Sequence, residues 1–171
     1  MTAPLNEDGR MESIADQTLG RLASAIASRA PAPGAGVAAA AALALGIACG
    51  RKAAAITLKH NPDRPGIDAN DARLGELQDA ALRLADQDAQ CFRAAIAQAS
   101  GAEEQLVRGD RALLACADEA DAVIARLAVQ VDEIMRNDIL AGRALIEAAS
   151  LIVRANLAEN EAAQSSGSSR S

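Results

Sequence analysis

Ala30-Pro31-Ala32-Pro33-Gly34-Ala35-Gly36-Val37 opens the stretch on which the fold turns, and residues 37 to 49 are the most apolar run of the chain. Two prolines fix φ and two glycines then release it, so the segment is a sharp loop between helices. Ala, Gly and small aliphatic residues follow on every side as far as about Thr57. That pattern predicts a helix whose backbone neighbours can approach from all directions, the central helix of a bundle. The apolar run of about 13 residues falls short of the roughly 20 that span a bilayer, so a core helix is expected and no membrane.

Working outward, composition points the same way. Half of the 171 residues are apolar, yet there is no Trp, no Tyr and a single Phe. A core of Ala, Leu, Ile and Val favours helices, because the aromatic and β-branched residues that fill sheets are scarce. The expectation is one all-α domain, an up-and-down bundle of about five to six helices. Ser13 offers an N-cap for a first helix bearing Leu19, Leu22 and Ile26 on its apolar side, ending before Pro31. A loop from His60 to Asp71, with Asp68 and Asp71 as caps, precedes a helix carrying Leu74, Leu77, Ala81, Leu84, Phe92 and Ile96. Ser100 and Glu103 form a capping-box pattern opening a short helix that Gly109 is placed to interrupt. Leu113, Leu114, Ala117, Ile124, Leu127, Val131 and Ile134 then describe a helix from Asp110 to Met135, and a last helix runs from about Asp138 to Ala162. Residues 1–12 are expected to be loose, 13–162 to be the domain, and 163–171 to be a disordered Ser/Gly tail.

The formal charge of −6 argues against nucleic acid, which needs clustered Lys and Arg. Arg51, Lys52 and Lys59 make only a weak patch. Cys49, Cys91 and Cys116 lie in apolar helical stretches without metal spacing and read as buried, reduced thiols. His60 is the only histidine, so no metal site is expected. Glu7, Asp8 and Glu12 precede any apolar stretch, which is wrong for a secretory signal and suggests the cytoplasm.

Charges that violate the apolar pattern are costly unless paired or used. Asp88 stands one turn from both Leu84 and Phe92, on the side of Leu77 and Ile96; it either pairs with a basic neighbour or does chemistry. Ile139, Gly142, Ile146, Ala149, Val153, Asn156 and Asn160 alternate steps of three and four, which puts two amides on an apolar face. Asp138 points the same way as Asn156 from the other end of that helix. It is either an N-terminal charge facing the helix dipole, with the amides hydrogen-bonded between helices, or part of a site. Gly34 and Gly36 are either a plain turn or a place where backbone N–H groups meet an anion.

Four segments, in order, resemble the formiminotetrahydrofolate cyclodeaminase / methenyltetrahydrofolate cyclohydrolase family. Leu22-Ala23-Ser24 followed by Ala30 to Ala39 is similar to its leading helix and Pro-Thr-Pro-Gly-Gly-Gly-Ser loop, with the Ala-rich helix and Gly46 beyond. Thr57 stands where the family has the Thr of Thr-x-Gly-Lys-Lys. Asp86-Gln87-Asp88-Ala89-Gln90-Cys91-Phe92 resembles its acidic Asp-x-x-Ala-Phe helix. Asn137-Asp138 and the helix to Asn156 and Asn160 resemble its Ser-Asp opening and Asn-x-x-x-Asn close. The resemblance implies an all-α homodimer acting on a tetrahydrofolate substrate without a resident cofactor. The reaction would be closure of 5-formiminotetrahydrofolate to 5,10-methenyltetrahydrofolate with loss of ammonia, or interconversion of methenyl- and 10-formyltetrahydrofolate by water. In that frame Asp88 or Asp138 moves the proton. Pro33, Gly34, Gly36 and Thr57 shape the pterin or glutamate pocket, and Asn156 and Asn160 orient the ring or brace the site. Three departures stand out: Ala35 in place of a glycine, Lys59-His60-Asn61-Pro62 in place of Gly-Lys-Lys-x-Tyr, and Met135-Arg136-Asn137 in place of a longer loop. The methyl of Ala35 is expected to obstruct close backbone approach or a positive φ. A diverged relative binding another small molecule, and a helical dimer without chemistry, are the alternatives.

Overall fold

The computed structural model describes residues 13–168. Its five α-helices are α1 (Leu19–Ile26), α2 (Ala35–His60), α3 (Ile67–Ile96), α4 (Ala102–Ala128) and α5 (Arg136–Ser168), with short 3-10 turns at Ile14–Asp16 and Glu133–Met135. The last four form an antiparallel ring in which α2 and α4 each pack on α3 and α5, while α2 and α4 face one another more distantly. This is the expected all-α, up-and-down arrangement.

Small residues let the ring close tightly. A Cβ built on Gly46 would lie 2.7 Å from the Gly142 carbonyl oxygen, and one on Gly142 would lie 2.8 Å from that of Gly46. Backbone therefore meets backbone where α2 crosses α5. One turn further along α2, Gly50 leaves room for the Ile124 side chain of α4, 2.8 Å from where its Cβ would be. Leu43, Ile47, Leu74, Ile124, Leu127 and Ile146 fill the interior between these contacts. By length and composition α2 is the one helix among the described residues apolar enough to cross a membrane, and half of that apolar window is buried inside the bundle. The helix is longer than its apolar run because Arg51 and Lys52 continue it at the surface.

Several boundaries differ from expectation. Ser13 caps the first 3-10 turn, and Thr18 caps α1 by accepting the Arg21 N–H. Neither Asp68 nor Ser100 is a cap: Gly66 and Gly101 hold those positions with positive φ, a backbone state that glycine adopts without strain. Gly109 does not interrupt α4, since one glycine costs only about 1 kcal/mol in a long packed helix. That helix ends at Ala128, so Ile134 is 71% exposed instead of in the core. Phe92 and Ile96 are exposed as well. The buried stripe of α3 runs through Leu74, Leu77, Ala81, Ala85 and Ala89, whose small side chains let α2 and α4 come close. At the C-terminal end α5 continues through Ser168, beyond the boundary expected at Ala162. The expected loose segment 1–12 and the last residues, 169–171, lie outside the described residues.

Candidate functional site

Four helices bring one polar group each to the same end of the bundle. On α2 the group is the backbone itself. Gly34 is the N-cap and makes no side-chain cap hydrogen bond, so the first N–H groups of the helix look for an acceptor. Asp88 of α3 supplies it. Its carboxylate accepts the Val37 N–H, and a Cβ on Gly36 would fall within 2.6 Å of Asp88 Cγ. A side chain at Gly36 would have to displace that carboxylate. The anion at this helix N-terminus is thus the protein's own carboxylate.

Helix dipole and N–H donor both favour ionised Asp88. They are outweighed. Burial and then the negative charge of Asp110 push its carboxyl up to about 6. Asp110, on α4, is only 3% exposed, and Asn160 on α5 donates to its Oδ2 at 2.7 Å. Burial raises its proton affinity while the Asn160 bond opposes that rise. A helix break at Gly109 would leave Asp110 at a helix start, where a carboxylate is ordinary; the continuous α4 places it mid-helix. Once α4 is continuous, Leu106, Asp110, Leu113 and Ala117 form one buried stripe with a carboxylate in it, the same violation that marked Asp88.

Along α3 the face of Asp88 opens outward: Leu84 is partly buried, Asp88 is partly buried, and Phe92 and Ile96 are exposed. Asp88 is therefore reachable from solvent at this end, with the chain's single aromatic residue one turn beyond it. Asp86, two positions earlier, serves the fold. It accepts the Ser13 hydroxyl and the Ile14 N–H, both at 2.7 Å, and ties the N-terminal turn to α3.

The remaining candidates divide between the two ends. Pro33 and Gly34 belong to the Asp88 end, and the register set by Gly46 against Gly142 and Lys52 against Asp138 brings Asn156 there too. Asn160 is committed to Asp110. Thr57 and Asp138 lie elsewhere. Asp138 sits in the first turn of α5, with Lys52 Nζ 3.3 Å from its Oδ1, and about 33 Å of helix separates it from Asn160. The fully buried Thr57 hydroxyl accepts the Asp132 N–H at 3.0 Å. Asp132 in turn binds His60 Nδ1 at 2.8 Å and Arg64 Nη1 at 2.9 Å, which ties the loop after α2 to the α4–α5 connection. Within one chain, then, Asp88 and the proline-glycine loop converge, whereas Asp138 and Thr57 brace the opposite end.

Two sequence departures also find their place. Ala35 is the first residue of α2 with its methyl exposed and without positive φ, so it obstructs nothing. The close approach is made at Gly36. Lys59-His60-Asn61-Pro62 ends α2 in the Asp132 network, far from Asp88. Burial pushes the Cys116 thiol up to about 11 and raises that of Cys91 as well, the latter also through the charge of Asp88. Cys49 is only partly buried. Among the described residues no group of three or more His, Cys, Asp or Glu side chains could hold a metal ion.

Comparison with known proteins adds an independent line. The fold is similar to the crystal structure of formiminotetrahydrofolate cyclodeaminase from Thermotoga maritima, with a TM-score of 0.80 at 18% identity over 86% of this chain and 79% of that one. No curated protein matches. The family model described as formiminotransferase-cyclodeaminase matches residues 18–137, a span that takes in the loop at Gly34, Asp88 and Asp110. With well over half of its length so matched, this chain belongs to the formiminotransferase-cyclodeaminase family.

Proposed function

We propose that the protein is a cytoplasmic folate one-carbon enzyme, a 5-formiminotetrahydrofolate cyclodeaminase that acts as a homodimer. One observation carries the assignment: a solvent-reachable carboxyl poised at about 6 and held against the glycine N-terminus of α2. Family membership and the fold of the Thermotoga protein support it.

The chemistry asks for one proton to be moved twice. Starting from the protonated formimino group on N5, the N10 amine attacks the formimino carbon and a C–N bond forms. Asp88, ionised near neutrality, takes the proton from N10. It then returns that proton to the amino group on the tetrahedral carbon, the second C–N bond breaks, and ammonia leaves 5,10-methenyltetrahydrofolate. A group with a pKa near the working pH can do both transfers, which is worth roughly 10²- to 10⁴-fold in rate. Phe92 offers the one aromatic face of the chain at this end, suited to a flat pterin ring. Asn156 and the loop at Pro33 and Gly34 complete the surroundings.

Homodimer formation is supported by exposed Leu140 and Leu151 on α5, apolar side chains for a second copy to cover, in a groove that also carries the Arg143–Asp121 and Arg154–Asp118 ion pairs. Three free cysteines suit a reducing compartment. The test is to supply 5-formiminotetrahydrofolate and follow methenyl absorbance together with ammonia. The proposal expects both to rise in equal amounts, with kcat/KM falling as pH drops through about 6. Consumption of methenyltetrahydrofolate without any ammonia-releasing activity would reassign the enzyme to the water reaction.

A further inference from the structure

Asp110 is a buried carboxylate that the proton transfers above do not use. Its position is set by two antiparallel contacts. Between α3 and α4, Cys91 Sγ donates to Gln105 Oε1 at 3.5 Å and Cys116 Sγ donates to the Leu77 carbonyl at 3.4 Å. Asp88 lies three residues before Cys91 and Asp110 five after Gln105, so both carboxylates flank the Cys91–Gln105 pin, Asp110 a little deeper along α4 than the point facing Asp88 and near enough for its charge to act there. Between α4 and α5, Asn160 Nδ2 reaches Asp110 Oδ2 at 2.7 Å, flanked at the surface by the Arg111–Glu161 pair at 2.7 Å. Asp88 packs against the backbone of Gly36 and accepts the Val37 N–H.

We propose that Asp110 and Asn160 are a positioning pair that makes Asp88 the proton-carrying member of a two-carboxylate unit. Two carboxylates in dry surroundings cannot both ionise cheaply, so their titrations are linked. The deeper one, Asp110, is raised by burial but has an amide donor that serves its charged form, and its charge acts on Asp88. Asp88 stands at the open end, where a proton can come and go. The other groups acting on Asp88 leave the role to Asp110: α2 presents the Val37 N–H and α3 the Cys91 thiol, while on α5 the neutral Asn160 amide is engaged by Asp110 itself. Burial contributes to the raised proton affinity of Asp88, and the Asp110 charge adds to it.

This inference deepens the folate reading and rests on it only for the link to turnover. Its test is carbon-13 NMR titration of the Asp88 carboxyl in the wild type, Asp110→Asn and Asn160→Ala, beside the pH profile of methenyl formation. In Asp110→Asn the Asp88 midpoint should fall from about 6 toward the ordinary carboxylate range, by about one pH unit. Asn160→Ala should lower it too, because Asp110 then takes a proton more readily. The acid limb of turnover should follow in both. An Asp88 midpoint that stays put in folded Asp110→Asn overturns the proposal, and Asn160→Ala decides the matter should the first variant fail to fold. If the midpoint moves in a protein that closes no formimino group, the charge coupling stands and the folate assignment falls.

Discussion

Asp86 and Asp88 stand two positions apart on α3 and have unrelated roles. The first anchors the N-terminal turn through two hydrogen bonds. The second is held at an unfavourable place, and its raised pKa is a statement about stability. Between the ordinary carboxylate value and about 6 the folded protein binds a proton that the unfolded chain does not, so stability falls as pH rises through that window. Above it, ionised Asp88 destabilises the fold. Asp88→Asn, which keeps an acceptor for the Val37 N–H, should therefore raise stability at pH 7 by about 1–2 kcal/mol, allowing for its partial exposure. A denaturant melt at pH 7 and pH 4 checks this, with the gain vanishing at the lower pH. Gly36→Ala makes the complementary case: its methyl would displace the Asp88 carboxylate, so turnover should drop at least tenfold while the helical circular dichroism stays. Asp88 was legible in the sequence as a charge on an apolar face. Asp110 obeyed the same rule and was hidden by a neighbouring glycine that the packed helix tolerates.

At the scale of the element, the N-terminus of α2 is where sequence and structure agree most closely. Pro31, Pro33, Gly34 and Gly36 announced a sharp entry into a helix that others could approach, and the approach is made at Gly36 by Asp88 and at Gly46 by α5. Gly46→Ala and Gly142→Ala should each cost on the order of 1–3 kcal/mol, because backbone rather than a flexible side chain stands in the way; urea unfolding measures it. Helix ends were harder to read. Gly66 and Gly101 start α3 and α4 in left-handed geometry, so the nearby Asp68 and Ser100, which look like caps, do not hold the cap positions. Thr57 illustrates how a family position can be structural. Thr57→Val should strand the Asp132 N–H and cost about 1–3 kcal/mol without changing the pH profile of turnover.

Across the whole molecule the bundle has two ends with different work. One gathers Gly36, Asp88, Asp110 and Asn160; the other ties Thr57, His60, Arg64 and Asp132 together, with Lys52 and Asp138 nearby. Helix periodicity places residues on faces but says nothing of which end of a long helix will be joined to which, so Asp88 and Asp138 are equal candidates by pattern and only the register separates them. The same limit separates the expected core position of Phe92 from its exposed one, since in the C-terminal half of α3 the deep stripe runs through Ala81, Ala85 and Ala89. Phe92→Ala should cost far less than the roughly 3–5 kcal/mol of a buried Phe, yet raise KM for the folate substrate. Phe92→Trp would give a chain lacking Trp and Tyr one fluorophore, whose quenching reports ligand binding.

The most direct measurement is turnover of 5-formiminotetrahydrofolate by Asp88→Asn and Asp138→Asn side by side with the wild type. The expected outcome is a loss of roughly 10²- to 10⁴-fold for Asp88→Asn in a well-folded protein, with Asp138→Asn close to wild type. Wild-type turnover by Asp88→Asn would contradict the account.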